Sequence, residues 1–568
     1  MLRCFSAARF FSSFAKGRNI VIVGGVAGGG TAAARLRRLD ESANITVYEK
    51  GDYNSYANCG LPFFIGGVIP KERSLLVSSP KQFKDFFNID VKTGHEVLKI
   101  NRKEKTVVVK DLAQDRTFEA PYDKLILAPG AVPVVPPIQG VNAPGVFTLR
   151  DIPDSRQIKA WIDSRSAKRA VVVGGGFIGM EMTENLRKRG LDVTVIERAP
   201  HVMPNISGEL ASVVEDRLQE CGVHVYSNHA IREIKTAEDN SLEVVCSDNT
   251  SYPCDLVILS MGVRPNSALA KDAGLKLGVK DSIAVDSSLR TSDPDIYAVG
   301  DAIQTLDFAT QRPRLAPLAA PANRQARIVA DVLCGLPSSF RGVQGTSVCG
   351  VFDVCVAATG NTAGTLGDAV PAEEVCTVCL HSADHATFFP DAYPIHLNLT
   401  FDRRDGRVLG AQAVGVNGVD KRIDVISAYI HMHGTVTDLA QAELCYAPQY
   451  GAAKDIVNLA GMVAQNVCRG LFTPVHWEQA LAEDSFKLDV RDRRVFEKLP
   501  TPGFTNIPLG ELRASLPQLP KDRVIDVSCY IGRTSYYTCR ILEQEGYKAR
   551  CITGGWGTYS ILPKWLVC

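Results

Sequence analysis

Ala170–Glu197 reads AVVVGGGFIGMEMTENLRKRGLDVTVIE. An apolar run enters glycine, a helix-forming stretch follows, and a second apolar run ends on an acid. Gly174, Gly176 and Gly179 complete the spacing G-x-G-x-x-G. A strand, a glycine turn and a helix in that order make a dinucleotide-binding unit. The glycines permit the tight turn and close backbone approach, and the helix N-terminus faces a pyrophosphate. Glu197 at the end of the second strand would accept hydrogen bonds from a free ribose and repel a 2′-phosphate. NADH is therefore expected over NADPH, although Arg198 beside it could tolerate the phosphate.

Outward toward the N-terminus the same pattern occurs once more. NIVIVGG, TAAARLRRL and NITVYEK, within Asn19 to Lys50, read strand, turn and helix, strand. Gly24 makes the turn, Gly28 and Gly29 allow the helix to approach, and Glu49 suits a ribose hydroxyl pair. Val26 occupies the place of the middle glycine. Two dinucleotide units in one chain point to a flavin, FAD, beside the nicotinamide. KLILAPG, ending at Gly130, reads as a strand where the chain crosses between the two units. TSDPDIYAVGD ends a strand on Gly300-Asp301, where a carboxylate could hold flavin ribitol hydroxyls.

Between the first unit and these crossings lies Tyr53 to Gly67, YNSYANCGLPFFIGG. Cys59 has no second cysteine two or five residues away, as a dithiol enzyme would require. Ser55 and Asn58 could cap free N–H groups, and Pro62 is tolerated in a first helical turn. A thiol at a helix start ionises more readily, so Cys59 reads as a thiolate that forms a mixed disulfide or persulfide. A buried apolar cysteine is the plain alternative.

Length and composition bound the rest. A chain of 568 residues implies three or four domains. A net charge of +1 gives no basic surface for nucleic acid. The 16 cysteines are too irregularly spaced for a disulfide framework, so a reducing compartment with one or two working thiols is expected. The histidines show no metal-ligand spacing, and His431 and His433 read as local packing. No apolar run reaches the roughly 18 to 20 residues of a membrane span. Residues 1–18 hold Arg3, Arg9, Lys16 and Arg18 and no acid, among Ser and Phe. They resemble a mitochondrial transit peptide, which predicts a mitochondrial protein.

Residues 341–470 alternate like antiparallel strands, with a helical stretch expected from Asp424 to Ala442. Cys376 and Cys379 form CTVC in a strand-like run, where packing explains them better than redox chemistry. After a junction near Phe472 to Trp477, VIDVSCYIGRTSYYTCRILEQEGYKARCITGG reads strand, loop, helix, strand, turn. The loop CYIGRT opens with Cys529 directly before a helix, which surrounds a sulfur with backbone N–H groups.

The second dinucleotide unit and the Gly-Asp motif resemble the FAD-dependent pyridine nucleotide–disulfide reductases. The CYIGRT loop and the Gly-Gly-Trp at Gly554 to Trp556 resemble a rhodanese domain, with Cys529 as sulfur carrier. Together with ANCGLPFFIGG, they resemble the single-cysteine coenzyme A disulfide reductases that carry a fused rhodanese domain, a subgroup with a modified first fingerprint. The resemblance implies an α/β chain. Its parts would be FAD-binding segments at 19–150 and 271–340, an NAD-binding domain at 151–270, an α+β dimer-interface domain at 341–470 and a rhodanese-like domain at 471–568. It implies a homodimer that reduces coenzyme A disulfide, or coenzyme A persulfide or polysulfide, through Cys59. Thr31, Arg35, Arg38, Ser55, Asn58, Asn323 and Lys454 fall at positions resembling the coenzyme A contacts. A basic helix face suits coenzyme A phosphates, and Arg37 on that helix reads as solvated. Tyr446 resembles a tyrosine supplied by the partner subunit near the redox cysteine. A second expected tyrosine is replaced by Phe388 and Phe389, which removes a hydroxyl needed for efficient reduction of coenzyme A disulfide and leaves persulfide or polysulfide reduction open. An NADH oxidase or peroxidase is the alternative enzyme, with Ala27 where that group places a histidine. A redox-regulated flavoprotein using the rhodanese unit for binding is the alternative of another class.

Overall fold

The computed structural model describes residues 17–238 and 241–563. The first 16 residues of the stretch read as a transit peptide lie outside them. The chain forms two compact units, one within residues 1–196 and 229–343, the other within 197–228 and 344–568.

In the first unit, Ile296–Ala298, Lys124–Leu127, Asn19–Val23, Asn44–Tyr48 and Asp90–Lys92 lie side by side in that order, all parallel. Parallel strands are covered on both faces and so read as unbroken apolar runs. Here Ile20, Ile22, Val47, Leu125 and Ile126 are buried with Leu36 of the helix Ala27–Leu39 and Val329 of the helix Ala319–Leu333. A second parallel set runs Asp192–Ile196, Arg169–Val173, Leu256–Leu259 and Val146–Phe147. The chain leaves the first sheet after Lys124–Leu127, builds the second, and returns to add Ile296–Ala298. The outward and return crossings pair antiparallel as Ala131–Pro133 and Val263–Pro265. KLILAPG therefore lies where the sequence placed a crossing.

Arg37 is not solvated. It is buried, and its guanidinium donates to the carbonyls of Asp40, Glu41, Ala43, Phe87 and Asn88. It ties the end of its helix to the connection ahead of Asp90–Lys92. Its basic neighbours hid that role in the sequence.

In the second unit, Ser347–Val351, Val354–Gly360, Val408–Gly415, Pro394–Asp402 and Val375–Ala383 form an antiparallel sheet in that order. Cys376 and Cys379 lie on the strand Val375–Ala383, with Cys379 buried, as packing predicts. The expected helix from 424 to 442 is two helices, Val419–His431 and Val436–Ala440. His433 takes a φ of +56°, Gly434 follows, and Thr435 starts the new helix in a reciprocal cap with Asp438. Such a cap contributes about 1 kcal/mol, enough to favour the break. C-terminal to this sheet, Pro474–Val475, Ala549–Ile552, Ile525–Ser528, Phe486–Asp489 and Thr505–Asn506 make a five-stranded parallel sheet.

Candidate active site

Two sulfur centres emerge, one in each unit. The first begins where Asn44–Tyr48 ends. Glu49 accepts hydrogen bonds from the Gly25 N–H at 2.7 Å and the Gly51 N–H at 2.8 Å, and burial raises its carboxyl above the usual range. Gly24 takes a φ of +94°, and a side chain there would run into the Ala128 carbonyl. One on Gly29 would strike the Gly24 carbonyl, while one on Gly28 would meet the side chains of Val299 at 3.0 Å and Ala128 at 3.6 Å. Asn54 is 2% exposed, and its amide nitrogen and oxygen have no partner within the protein. Ser55 has a φ of +46°, and its N–H donates to the Gly25 carbonyl. The stretch preceding Cys59 is thus pinned to the first glycine turn.

Beyond it, Asn58–Gly60 makes one 3-10 turn and Leu61–Ile65 a short helix with Pro62 in its first turn. No side chain caps either start, contrary to the roles expected of Ser55 and Asn58. Cys59 is exposed. Even so, partial desolvation, then the carboxylates of Glu181 and Asp301, raise its thiol above the ordinary range. The short helix does not produce the easily ionised thiol the sequence predicts. Two neighbours were missed from sequence. Arg150 stands 2.6 Å from where a Gly130 side chain would begin and is the cation acting on Cys59, Glu49 and Asp301. Glu181, two residues after Gly179, is pushed up to about 7 by burial and then by Glu184. Burial also raises Asp301, which follows Gly300 at φ +80°. No local sequence signal marks Glu181 or Arg150, because their role comes from burial and from chain crossings.

These groups fit FAD: a glycine turn into a helix, an acid closing the second strand, an unpartnered buried amide and a half-buried acid at the returning strand. In the nicotinamide turn, Gly174 has φ +101° with no room beside the Ser260 carbonyl, and a side chain on Gly179 would strike the Gly174 carbonyl. Gly176 faces open space, as close approach of a ligand requires. Glu197 follows Asp192–Ile196 in the chain, and its carboxylate accepts from the Ala199 N–H at 2.7 Å.

Two of the expected coenzyme A contacts are brought together. Thr31 donates to Asn323 at 2.6 Å. Arg35 is held by Asp331 through two nitrogens, at 2.8 and 2.7 Å, so its guanidinium is shared. Arg38 is exposed on the same helix. Tyr446, Lys454, Phe388 and Phe389 are exposed on the second unit.

The second centre lies where Ile525–Ser528 ends. Cys529 is 1% exposed, and its sulfur accepts the Gly532 N–H at 3.1 Å. Gly532, with φ +92°, starts the helix Arg533–Gln544. Trp556 N–H and Gly557 N–H bind the carbonyls of Cys529 and Tyr530, so the Gly-Gly turn braces the loop. A side chain on Gly555 would collide with the Cys529 carbonyl. The brace continues into the antiparallel sheet: Cys379 N–H donates to the Thr553 hydroxyl at 2.7 Å, and His381 bridges Thr558 and His396 at 2.8 and 2.7 Å.

Comparison with known proteins agrees with this geometry. The pyridine nucleotide-disulphide oxidoreductase family matches residues 18–322, and the family's dimerisation domain matches 346–455. A coenzyme A disulfide reductase of Staphylococcus haemolyticus is 37% identical over 79% of the chain and 100% of its own length. The reduced CoADR-RHD of Bacillus anthracis is similar over 96% of the chain and 98% of its own, with 42% identity and a TM-score of 0.93. An NAD-dependent persulfide reductase from A. fulgidus is similar over 95% of the chain and 100% of its own, with 37% identity and a TM-score of 0.87. The bacterial sources of the Staphylococcus and Bacillus proteins overturn the mitochondrial location predicted from residues 1–18. The described residues contain no helix long and apolar enough to cross a membrane. The chain belongs to the pyridine nucleotide-disulphide oxidoreductases, as an enzyme dependent on FAD and NAD(P)H that ends in a rhodanese-like α/β domain.

Proposed function

We propose that this enzyme reduces a sulfur–sulfur bond of coenzyme A disulfide or coenzyme A persulfide at Cys59, and that Cys529 carries sulfane sulfur to or from the same pool of thiols. The observation that carries this is an exposed thiol pinned to the first glycine turn, with no other cysteine between Cys4 and Cys221. A thiol with no cysteine near it in sequence is suited to a mixed disulfide with a substrate.

Bound FAD supplies the electron pair that NAD(P)H delivers. The protein's own work is binding, orientation and proton placement. Gly24, Gly28, Gly29, Glu49, Gly130, Gly300 and Asp301 hold the flavin nucleotide. Gly174, Gly176, Gly179 and Glu197 hold the nicotinamide nucleotide, with NADH favoured by Glu197. Thr31, Arg38, Ser55, Asn58, Asn323 and Lys454 contact coenzyme A, with Arg35 aligned by Asp331. The Cys59 thiolate attacks one sulfur of the substrate. A bond forms to Cys59, the substrate S–S bond breaks, and a thiol or hydrosulfide leaves. A two-electron reduction then frees the second product. Tyr446 of the partner subunit in a homodimer donates a hydrogen bond to the leaving sulfur. The domain division proposed is the one read from sequence, FAD-binding at 19–150 and 271–340, NAD-binding at 151–270, interface at 341–470 and rhodanese-like at 471–568, with Val146–Phe147 going to the NAD-binding sheet with which it pairs.

Anaerobic NADH consumption with coenzyme A disulfide and with coenzyme A persulfide tests the reading. Turnover of at least one is expected, lost in Cys59→Ser. Turnover surviving that change would refute it. Rapid NADH-dependent oxygen consumption in its place would favour the oxidase alternative.

A further inference from the structure

The helix Arg533–Gln544 carries Ser535 and Cys539 one turn apart, and both are fully buried. Residues four apart share a helix face. Cys551 lies on Ala549–Ile552, the strand beside Ile525–Ser528, and is 3% exposed. The Ser535 hydroxyl oxygen is 3.3 Å from the Cys529 sulfur, 3.3 Å from the Cys551 sulfur and 3.0 Å from the Gly532 carbonyl. Cys539, buried on the same helix face, acts on Cys551: with Ser535 it holds the Cys551 thiol below its usual range against burial, while burial drives Cys539 well above it. Three buried groups thus form a line, Cys551 to Ser535 to Cys529.

A hydroxyl has one proton to give and can accept two hydrogen bonds. We propose that Ser535 is a catalytic residue of the sulfur carrier, giving its proton as a hydrogen bond to the Cys529 thiolate left when sulfane sulfur departs. Cys551 is a positioning residue that donates its S–H to the Ser535 oxygen and so turns the hydroxyl toward Cys529. The inference rests on the reading of Cys529 as sulfur carrier. In the persulfide state, the Ser535 proton rests on the Gly532 carbonyl. An acceptor thiolate, or cyanide, attacks the outer sulfur. A bond forms from acceptor to outer sulfur, the outer sulfur–Cys529 bond breaks, and its electron pair stays on Cys529. No net oxidation occurs. Ser535 then rotates from the carbonyl to the new thiolate, where it joins the Gly532 N–H as a second donor. Hydrogen bonds in a row polarise one another, so Cys551 strengthens the one that Ser535 gives.

The test is sulfur transfer from thiosulfate to cyanide by the full-length FAD-loaded enzyme. Ser535→Ala is expected to lower kcat about 10- to 100-fold, the range for losing a hydrogen bond to a charged group. Cys551→Ala, which removes the donor, is expected to lower it about threefold, and Cys551→Ser, which keeps a donor at similar size, to restore the parent rate within about twofold. Rescue by serine separates donation from packing. Equal rates for Cys551→Ser and Cys551→Ala, or a Ser535→Ala rate within twofold of the parent, would overturn the proposal. Transfer that persists in Cys529→Ala would instead remove the carrier reading beneath it.

Discussion

Cys59 and Cys529 sit in opposite environments. Cys59 is exposed, with partial desolvation and then the carboxylates of Glu181 and Asp301 pressing its thiol upward and Arg150 the opposing cation. Cys529 is sealed, with a backbone N–H and a hydroxyl at its sulfur and a second thiol behind the hydroxyl. The difference is chemical. A sulfur that must exchange partners with a bulky thiol needs access. It can rely on the incoming substrate and cofactor to complete its surroundings. A sulfur that must hold a reactive sulfane atom away from water needs its donors built in. One protein can hold both only if each centre has its own support.

That separation can be broken by two substitutions. Cys59→Ser is expected to lower NADH-dependent reduction at least about a thousandfold, as removal of a catalytic nucleophile does, while thiosulfate-to-cyanide transfer continues. Cys529→Ala should do the reverse. If either change abolished both activities, the two sulfurs would be serial parts of one reaction. The supporting glycines sharpen the same comparison. Gly29→Ala drives a methyl into the Gly24 carbonyl and should strip the flavin absorbance from the purified protein with transfer retained. Gly555→Ala, at φ +56° against the Cys529 carbonyl, should lose transfer with the flavin retained. Gly176→Ala, in open space, should leave the fold intact and weaken nicotinamide binding alone, read as a raised KM for NADH.

Much of the flavin side was legible because its signals are local. A glycine before a helix and an acid ending a strand are read within thirty residues, and Gly24, Gly29, Glu49 and Asp301 occupy the expected kinds of place. Chain crossings are not local. Arg150 follows Val146–Phe147 of the second sheet yet stands beside Gly130, and Glu181 matters because, half-buried, it acts on a thiol about 120 residues earlier in the chain. At the other centre, CYIGRT announced its cysteine and glycine. Cys551 is 22 positions away and is aligned only by strand pairing. Arg37 misled for the opposite reason: its neighbour Arg38 is exposed, and only the carbonyls that surround Arg37 distinguish it. Asp424 to Ala442 misled because helical periodicity runs through a glycine and a cap that end one helix and start another.

The support behind Cys529 carries its own signature in acid. Burial lowers His381 to about 3, with His396 adding to it, and burial lowers His396 to about 4. In the unfolded chain both would titrate near 6.5. Below that value the unfolded state binds protons that the folded state refuses, so stability is complete above 6.5 and declines as the pH falls toward 4. The loss approaches about 1.4 kcal/mol per histidine for each pH unit in that window. His381→Gln should flatten the fall of the thermal midpoint between pH 7 and 5, measured by calorimetry. An unchanged slope would mean the pair opens to water before it titrates, and the brace under the Cys529 loop would be looser than its 2.7 and 2.8 Å contacts indicate.

The smallest expected effect is at the open centre. Glu181 has a carboxyl raised to about 7, so it is anionic above that pH and neutral well below it. As an anion it disfavours a thiolate at Cys59. Glu181→Gln should therefore speed alkylation of Cys59 by iodoacetamide about two- to fivefold at pH 8 and leave the rate unchanged at pH 5.5, the size expected when one nearby like charge is removed. An equal acceleration at both pH values would show that the side chain acts by shape. No acceleration at pH 8 would show that Arg150 or solvent already screens the pair. The direction matters for the comparison between the centres. If the carboxylate holds Cys59 back until substrate and cofactor arrive, an exposed thiol can survive in solution without becoming a general scavenger of oxidants. Accessibility and restraint would then be set by separate residues. At Cys529 burial sets both at once.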